Sequence, residues 1–340
     1  MMRAITFAAA ALIGTSLTLV PQPAKAWGKF GHLTICEVAY RNLTPASRAA
    51  VGQILQSRSG GITVPGHGDM PAEHYTAFNR GCLEEDVLPR RNADSHFINL
   101  PRDQQAITTG DCPAAIAQGR CILSRIRIDM TVLRNNAAAP MDRAFALFEL
   151  GHFVGDLHQP LHVSFVDDKG GNGVEARVTG GCGRFGYHAD DLHGVWDNCI
   201  LHSGTFGRVY RRADYKSTWS RFTVTYRAAD TLQANTSLTD ERQIVAGEPW
   251  QWVEESYRIT RDPDVRYCVL AGGSCNYSAT AVKKPVGAPR REQLDQAYLE
   301  KYDRVVEERV RYAGLRLAHL LNQALDPAYS GPVRNSSQPE

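Results

Sequence analysis

Two histidine–aspartate pairs carry the chemistry most visible in this 340-residue sequence. One opens the run His152-Phe-Val-Gly-Asp156-Leu-His158-Gln-Pro-Leu-His162, and the other is His193-Gly-Val-Trp-Asp197. On a helix, residues at i and i+4 share a face, so each pair offers an imidazole and a carboxylate to one metal ion. Pro160 stops the helix, and the chain can then turn His162 back toward the first pair. Zinc takes three or four ligands and accepts His nitrogen together with Asp oxygen. An isolated His is most simply a hydrogen-bonded core or surface residue. Two pairs and a further His between residues 152 and 197 make coincidence a poorer account.

The beginning of the chain adds a second source of ligands. Residues 1–26 read as a secretory signal: Arg3, then the apolar run Ala4 to Val20, then Ala24-Lys25-Ala26 as a cleavage site. The run is short against the roughly 20 apolar residues of a membrane span, so no membrane anchor is expected. Cleavage leaves Trp27-Gly-Lys-Phe-Gly-His32. A freed α-amine is a nitrogen donor, and the Trp27 carbonyl can close a five-membered chelate on the same ion, with His32 adding a third ligand. The plainer alternative is that Trp27 is an ordinary hydrophobic start.

Composition bounds the partners. With 43% hydrophobic residues the chain is not disordered, and 38 basic against 36 acidic residues exclude a basic nucleic-acid coat. Removing residues 1–26 takes away Arg3 and Lys25 and no acid, leaving 36 of each sign. Bulk charge then attracts nothing. All eight cysteines lie beyond residue 26, which in an oxidising compartment suggests disulfides. Short loops favour Cys112–Cys121 and Cys268–Cys275; the other pairings stay open. No Cys-x-x-Cys is present, so a zinc ribbon or thioredoxin-type site has no support.

The elements that must position these residues are mainly helices. Apolar spacing and stop signals predict helices over 32–42, 45–58, 113–135, from Pro140 to the stop at Pro160, 191–202, 250–259 and 292–324. Residues 60–71 read as a Gly/Pro-rich loop, a short hairpin is expected around Val174 to Val178, and 262–289 reads as irregular. No repeat or linker appears. The expectation is one mainly α domain over 27–325, with a small β-hairpin, long loops and disulfide staples, followed by a polar, disordered tail over 326–340.

The Trp-Gly-x-x-Gly-His start, the His-Phe-x-Gly-Asp-x-His-Gln-Pro-Leu-His run and the Leu-His-x-x-Trp-Asp segment resemble the secreted trizinc single-strand nucleases, the nuclease branch of the zinc phospholipase C–nuclease superfamily. The resemblance extends to Asp168-Lys-Gly-Gly-Asn172, Trp252-Val-Glu-Glu-Ser256 and Ala313-Gly-Leu-Arg-Leu-Ala318. It implies that Trp27 and His32 bind one of three zinc ions, that Asp86, His96 and His152 bind a second, and that Asp156 bridges these two. His162, His193 and Asp197 would bind the third. Asp86 and Asp156 would be the catalytic carboxylates. Where the family shows Ala-Ser-x-Ala-Asp-x-x-Arg, this chain has Cys82-Leu-Glu-Glu-Asp86-Val-Leu-Pro89. Glu85 therefore competes with Asp86, and Pro89 occupies the Arg slot with Arg90 beside it. Phe97 matches a base-stacking position, Asn99 a base-edge contact, and Tyr187 is a weaker second platform. His158 is expected to be structural or to support the ligands, and His67, His74, His188, His202 and His319 carry no pattern.

The activity implied is hydrolysis of single-stranded DNA and RNA and of 3′-nucleotides by a monomer, secreted or periplasmic. Hydroxide held between two zinc ions would attack phosphorus, break the P–O3′ bond and leave a 5′-phosphate. Three Zn²⁺ against three ligand carboxylates would leave about +3 in one cleft, a local attraction for phosphate that bulk charge does not show. A zinc phospholipase C is the nearest alternative, but in that branch the second pair ends in Glu and the first His lies farther from the Trp. A secreted binding protein with structural zinc is another; structural sites usually include Cys, and this set has none. Four Asn-x-Ser/Thr sequons, at Asn42, Asn235, Asn276 and Asn335, matter only where the host glycosylates.

Overall fold

The computed structural model describes residues 27–56, 77–87, 90–108, 111–112, 121–182, 189–204, 207–209, 219–234, 236–277 and 290–332. The signal segment, the 60–71 loop, residues 113–120, Tyr187, Pro89, His67, His74, His188, Asn235, Asn335 and the end of the tail lie outside them. In chain order the helices are α1 (Lys29–Arg41), α2 (Pro45–Gln56), α3 (Ala77–Gly81), α4 (Ile122–Arg134), α5 (Pro140–Leu157), α6 (Leu192–Gly194 and Ile200–Ser203, joined through the π-helical Val195–Cys199), α7 (Trp219–Ala234), α8 (Leu238–Ile244), α9 (Pro249–Arg261) and α10 (Gln296–Leu325). Three two-stranded sheets complete the fold: β1 (Ile98–Leu100) with β2 (Val163–Phe165), β3 (Val174–Val178) with β6 (Arg290–Leu294), and β4 (Val269–Ala271) with β5 (Ser274–Asn276).

α5 is the axis of the molecule. It starts with Pro140 at its first position, where the missing N–H costs nothing, and almost everything from Ala144 onward is buried. From Ala144 onward its sequence is apolar on all sides except at Glu149, which pairs with Arg91 and Arg125, and where His152 and Asp156 stand, as a helix surrounded by others requires. α1 packs against it through Gly151 and Gly155. A Cβ on Gly155 would lie 2.8 Å from His32 Nδ1, and one on Gly151 only 2.5 Å from the Cys82 sulfur. These two glycines, one turn apart, let a histidine and a disulfide lie directly on the helix. α10, about 45 Å long at 1.5 Å per residue, closes over α1 and α5 with Val306, Val310, Ala313 and Leu317 buried.

The expected helices are present, with five differences, the first being that α4 starts only at Ile122, after the extended N-cap Cys121, where the periodicity begins at Pro113. Val174–Val178 has no local hairpin partner. It pairs in parallel with the distant Arg290–Leu294, with Val174 opposite Arg290 and Val178 opposite Leu294. The small hairpin of this fold is instead β4–β5, antiparallel, inside the stretch expected to be irregular. The last helix therefore begins later than Glu292. Asp295 is its N-cap and accepts from Tyr298 N at 2.8 Å, and the residues before the cap are spent on the strand. α3, α7 and α8 are additional to the expected helices: α3 is only five residues long, and neither α7 nor α8 carries a strong amphipathic signal.

Four disulfides are formed: Cys36–Cys82, Cys112–Cys121, Cys182–Cys199 and Cys268–Cys275. Both local pairs agree with expectation. No helix among the described residues is long and apolar enough to cross a membrane. Of the tail, residues 326–332 are described, and Tyr329 meets His319 Nδ1 through its hydroxyl at 2.9 Å.

Candidate metal centre

The two helical pairs meet. The described residues hold two groups able to bind a metal ion: His32, His152 and Asp156, and His162, His193 and Asp197. All six side chains are buried. Asp156 is the centre of the arrangement. Its Oδ1 lies 3.2 Å from His32 Nε2. Its Oδ2 lies 2.9 Å from His96 Nδ1, 3.4 Å from His152 Nε2 and 3.9 Å from His162 Nδ1. In the second group His193 Nε2 is 3.1 Å from His162 Nε2 and 3.6 Å from Asp197 Oδ2. Four ligands placed about 2.0–2.1 Å from a zinc ion are about 3.3 Å from one another, so these separations are those of ligands around a common ion.

The orientation of the rings points the same way. His152 donates Nδ1–H to Cys82 O at 2.8 Å, His162 to His96 O at 2.5 Å, and His193 to Gly170 O at 2.6 Å. With Nδ1 donating in this way, each of the three rings turns its Nε2 into the centre. A carbonyl behind a histidine sets its tautomer and basicity in this way at metal sites. Other buried atoms in the cluster lack a hydrogen-bond partner: both ring nitrogens of His32, His96 Nε2, Asp156 Oδ1 and Asp86 Oδ2. Buried polar atoms are normally paired because leaving one bare costs roughly 1–3 kcal/mol. Orphans collected around one carboxylate are the donor set a cation would satisfy.

Each carbonyl that orients a ring is delivered by a local device. β1 and β2 run parallel with Ile98 opposite Val163, which sets the His96 carbonyl beside His162. The turn after β2 has Lys169, Gly170 and Gly171 all in the left-handed region. A Cβ at Gly170 would also strike Leu161 O at 2.6 Å, so glycine is required there for its carbonyl to reach His193. Asp168 stiffens that turn, accepting from Gly171 N at 2.9 Å and from Arg102 and the Tyr267 hydroxyl. The Cys82 carbonyl follows from Cys36–Cys82, which ties it to α1 on the face of α5 just before His152.

The remaining expected residues are placed as follows. Trp27 is fully buried, its indole N–H donating to Gly155 O at 2.9 Å, and the next residue donates from Gly28 N to Asp197 O at 3.0 Å. The first residues of the domain thus run between the two groups. Glu85 is occupied elsewhere, accepting from Arg91 at 3.1 Å and Asn92 at 3.2 Å, whereas Asp86, though in neither metal-capable group, is near enough to act electrostatically on His32 and His152. Arg90 folds back one turn to donate to Asp86 Oδ1 at 2.6 Å, so its guanidinium reaches the centre although it stands one place after the expected slot. Phe97 is 37% exposed beside buried His96. Asn99 Oδ1 is buried without a partner beside Gly170. His158 faces away, donating Nδ1–H to Val154 O at 2.7 Å.

One further residue at the centre is not predicted by the sequence patterns. Gln159 donates from Nε2 to Asp197 Oδ1 at 2.5 Å, and its Oε1 accepts from Leu161 N at 2.5 Å. It fixes one oxygen of Asp197 and leaves Oδ2 to face His193. Its only signal is its position inside the His run.

Electrostatics sort the ligands into protonated and bare ones. Burial works against a charged His152, but the adjoining Asp156 carboxylate outweighs it and lifts the pKa to about 9. Burial likewise opposes the Asp156 anion, yet His152 and His162 hold its carboxyl well below the usual range. Burial pushes His162 down to about 3 and His193 to about 4, with Arg90 adding to the effect on His193. At neutral pH the metal-free centre therefore keeps a proton on His152 while His162 and His193 are bare. Because a metal must displace that proton, zinc uptake is expected to release protons at pH 7, and the release should shrink as pH rises through about 9. Calorimetry of zinc binding in buffers of different ionisation heat measures it; equal proton release at pH 7 and pH 10 would contradict this charge state.

Comparison with known proteins agrees with this geometry. The family model described as S1/P1 Nuclease matches residues 27–326. Endonuclease 2 of Arabidopsis thaliana is 26% identical over 307 residues, covering 87% of this chain and 90% of that protein. Nuclease S1 of Aspergillus oryzae is 23% identical over 301 residues, covering 87% and 91%. Nuclease P1 of Penicillium citrinum is 27% identical over 174 residues, covering 50% and 57%. With two buried His/Asp groups around Asp156 and a family match running the length of the domain, the chain belongs to the S1/P1 nuclease family and is a hydrolase of phosphodiester bonds.

Proposed function

We propose that this chain is an exported, zinc-dependent endonuclease acting as a monomer on single-stranded DNA and RNA. Its products carry 5′-phosphates, and it also hydrolyses 3′-nucleotides. The observation that carries the reading is the set of bare imidazole nitrogens and unpaired carboxylate oxygens around Asp156. Three zinc ions suit the donors: Trp27 with His32; Asp86, His96 and His152; and His162, His193 and Asp197, with Asp156 shared by the first two sets. When bound, zinc brings the pKa of a water toward about 7 and offsets phosphate charge. The chain's own residues supply placement. Asp156, kept ionised by His152 and His162, would be the carboxylate held in common by the first two sets. Asp86 is the second catalytic carboxylate, its Oδ1 held by Arg90 and its Oδ2 left for the centre. Gln159 holds Asp197 in one orientation. Water adds to phosphorus as the P–O3′ bond breaks, and the departing 3′-oxygen takes up a proton. The four disulfides suit an oxidising destination, secreted or periplasmic.

Purified protein beginning at Trp27 should hold about three zinc ions and cleave single-stranded DNA and RNA, lose activity to a chelator and regain it with zinc. Hydrolysis of phosphatidylcholine alone, or inactivity of the zinc-loaded protein on every one of these substrates, would overturn the proposal.

Single-strand selectivity comes from stacking. Phe97 is 37% exposed next in sequence to buried His96, where a base lying on its ring would bring the adjoining phosphate toward the centre. Stacking contributes about 1–3 kcal/mol per base. Phe97→Ala is therefore expected to raise KM for single-stranded DNA about 5- to 150-fold with zinc content unchanged. Steady-state kinetics check this, and an unchanged KM would remove Phe97 from the binding surface.

A further inference from the structure

The centre stands on the carboxyl end of α5, and the last four carbonyls of a helix find no partner within it. Here partners come from the cap residue His158 and from other elements. Val154 O accepts from His158 Nδ1 at 2.7 Å, Gly155 O from Trp27 Nε1 at 2.9 Å and Leu157 O from Ser256 Oγ at 2.6 Å. Past the helix end, Pro160 O accepts from Thr260 Oγ1 at 2.6 Å and His158 O from Arg309 Nε at 3.3 Å.

Behind these contacts lies an ionic cluster, its two arginines buried and Glu255 partly exposed, with no hydrogen bond or ion pair to a ligand side chain among the described residues. His158 uses its Nδ1 proton on Val154 O, so its Nε2 is an acceptor, and Arg316 Nη1 donates to it at 2.9 Å. Arg316 also grips both oxygens of Glu255 at 2.6 Å and donates to Ile244 O at 2.7 Å. Arg309 donates to Glu255 Oε2 at 2.6 Å and to Ser256 Oγ at 2.7 Å. Trp252 lies against the Arg316 guanidinium, 4.8 Å from it. The two C-terminal motifs, Trp252-Val-Glu-Glu-Ser256 and the Ala313–Ala318 segment containing Arg316, therefore converge on residues 154–160, the stretch that joins His152 and Asp156 to His162.

We propose that Arg316 and Arg309, coupled through Glu255, are positioning residues that set the metal-binding end of α5 through His158 and the carbonyls of residues 157–160. The inference rests on the reading of the centre as a metal site. All three Arg316 nitrogens donate from one planar fork, Nη1 to two acceptors, so a lysine at this position keeps the charge and loses the geometry. Partners behind a metal ligand typically change metal affinity or activity 10- to 100-fold, by order of magnitude about what is expected here.

The test compares Arg316→Lys and Glu255→Gln with Asn322→Ala. Asn322 is on the same helix but bonds Thr44 N and Asn42 O. Three quantities are read on folded protein of matched Tm: the rate of zinc release to a chelating dye, the visible spectrum of the cobalt-substituted protein, and the split between kcat and KM. Arg316→Lys and Glu255→Gln should release zinc about 10- to 100-fold faster, shift the cobalt bands and lower kcat with KM little changed. Asn322→Ala should do none of this. Wild-type release and cobalt spectra in folded Arg316→Lys and Glu255→Gln overturn the inference, as does an equal response from Asn322→Ala. Should Arg316→Lys fail to fold, Glu255→Gln decides alone, since Glu255 is partly exposed, its side chain at 37%. Release and spectrum need no substrate, so a protein that binds zinc but cleaves no nucleic acid sinks the nuclease reading and leaves this test standing. A protein that binds no zinc sinks both.

Discussion

Asp156→Asn is expected to reduce zinc content from about three ions to about one per chain and kcat/KM on single-stranded DNA by at least about 1,000-fold. No other side chain at the centre touches so many of its members. Asp156 lies within hydrogen-bonding or ion-pair distance of His32, His96, His152 and His162. An amide has nearly the same shape but carries no charge and is a poor ligand. It also removes the anion that holds a proton on His152, whose pKa of about 9 depends on it. The His162, His193 and Asp197 group keeps its own carboxylate and its own carbonyl contacts, and so should retain an ion. Metal analysis and steady-state kinetics on folded protein report both effects. A variant with full zinc content and wild-type kcat/KM would show that Asp156 is not the shared ligand.

The second large effect concerns the chain terminus. A protein with one extra residue before Trp27 is expected to fold normally, lose about one zinc ion and lose activity at least about 100-fold. Trp27 is anchored by its side chain, with the indole buried and bonded to Gly155 O, and Gly28 N is bonded to Asp197 O. Neither contact requires a free amine, so the fold should tolerate the extension. The nitrogen itself would change from an amine to an amide, whose lone pair is delocalised and cannot bind zinc. Removal of residues 1–26, the proposed signal, would then be an activating step. Metal analysis, circular dichroism and nuclease assays of the extended and exact forms decide it. Unchanged zinc content and activity in the extended form would eliminate the amine as a ligand.

Much of this centre is legible in the amino-acid sequence because it depends on local geometry. His152 and Asp156 share a face because a helix repeats every 3.6 residues, and Pro160 ends that helix wherever it packs. His193 and Asp197 lie across a local π-helical segment, whose wider turn departs from that repeat but still leaves positions four apart on neighbouring parts of one face. The two disulfides that close short loops are legible for the same reason. Other features are not. The sequence around Val174–Val178 suggests a near neighbour, yet its partner is a parallel strand more than a hundred residues on. A strand shows which of its faces is apolar and carries no mark of the strand it will meet.

The ligand types and their pairing along each helix are thus local properties, set by backbone periodicity and by which residues can cap or break an element. Which groups meet is a property of the packed chain. His162 faces His193, 31 residues away, because β1 pairs with β2 and the Gly170 turn delivers its carbonyl. His152 is oriented by Cys82 O because Cys36–Cys82 lies in a groove that Gly151 leaves open. Arg316 reaches His158 across 158 residues because α10 closes over α5. Such contacts are selected by the total burial of apolar surface and the satisfaction of buried polar atoms, quantities that belong to the whole fold and have no period along the chain.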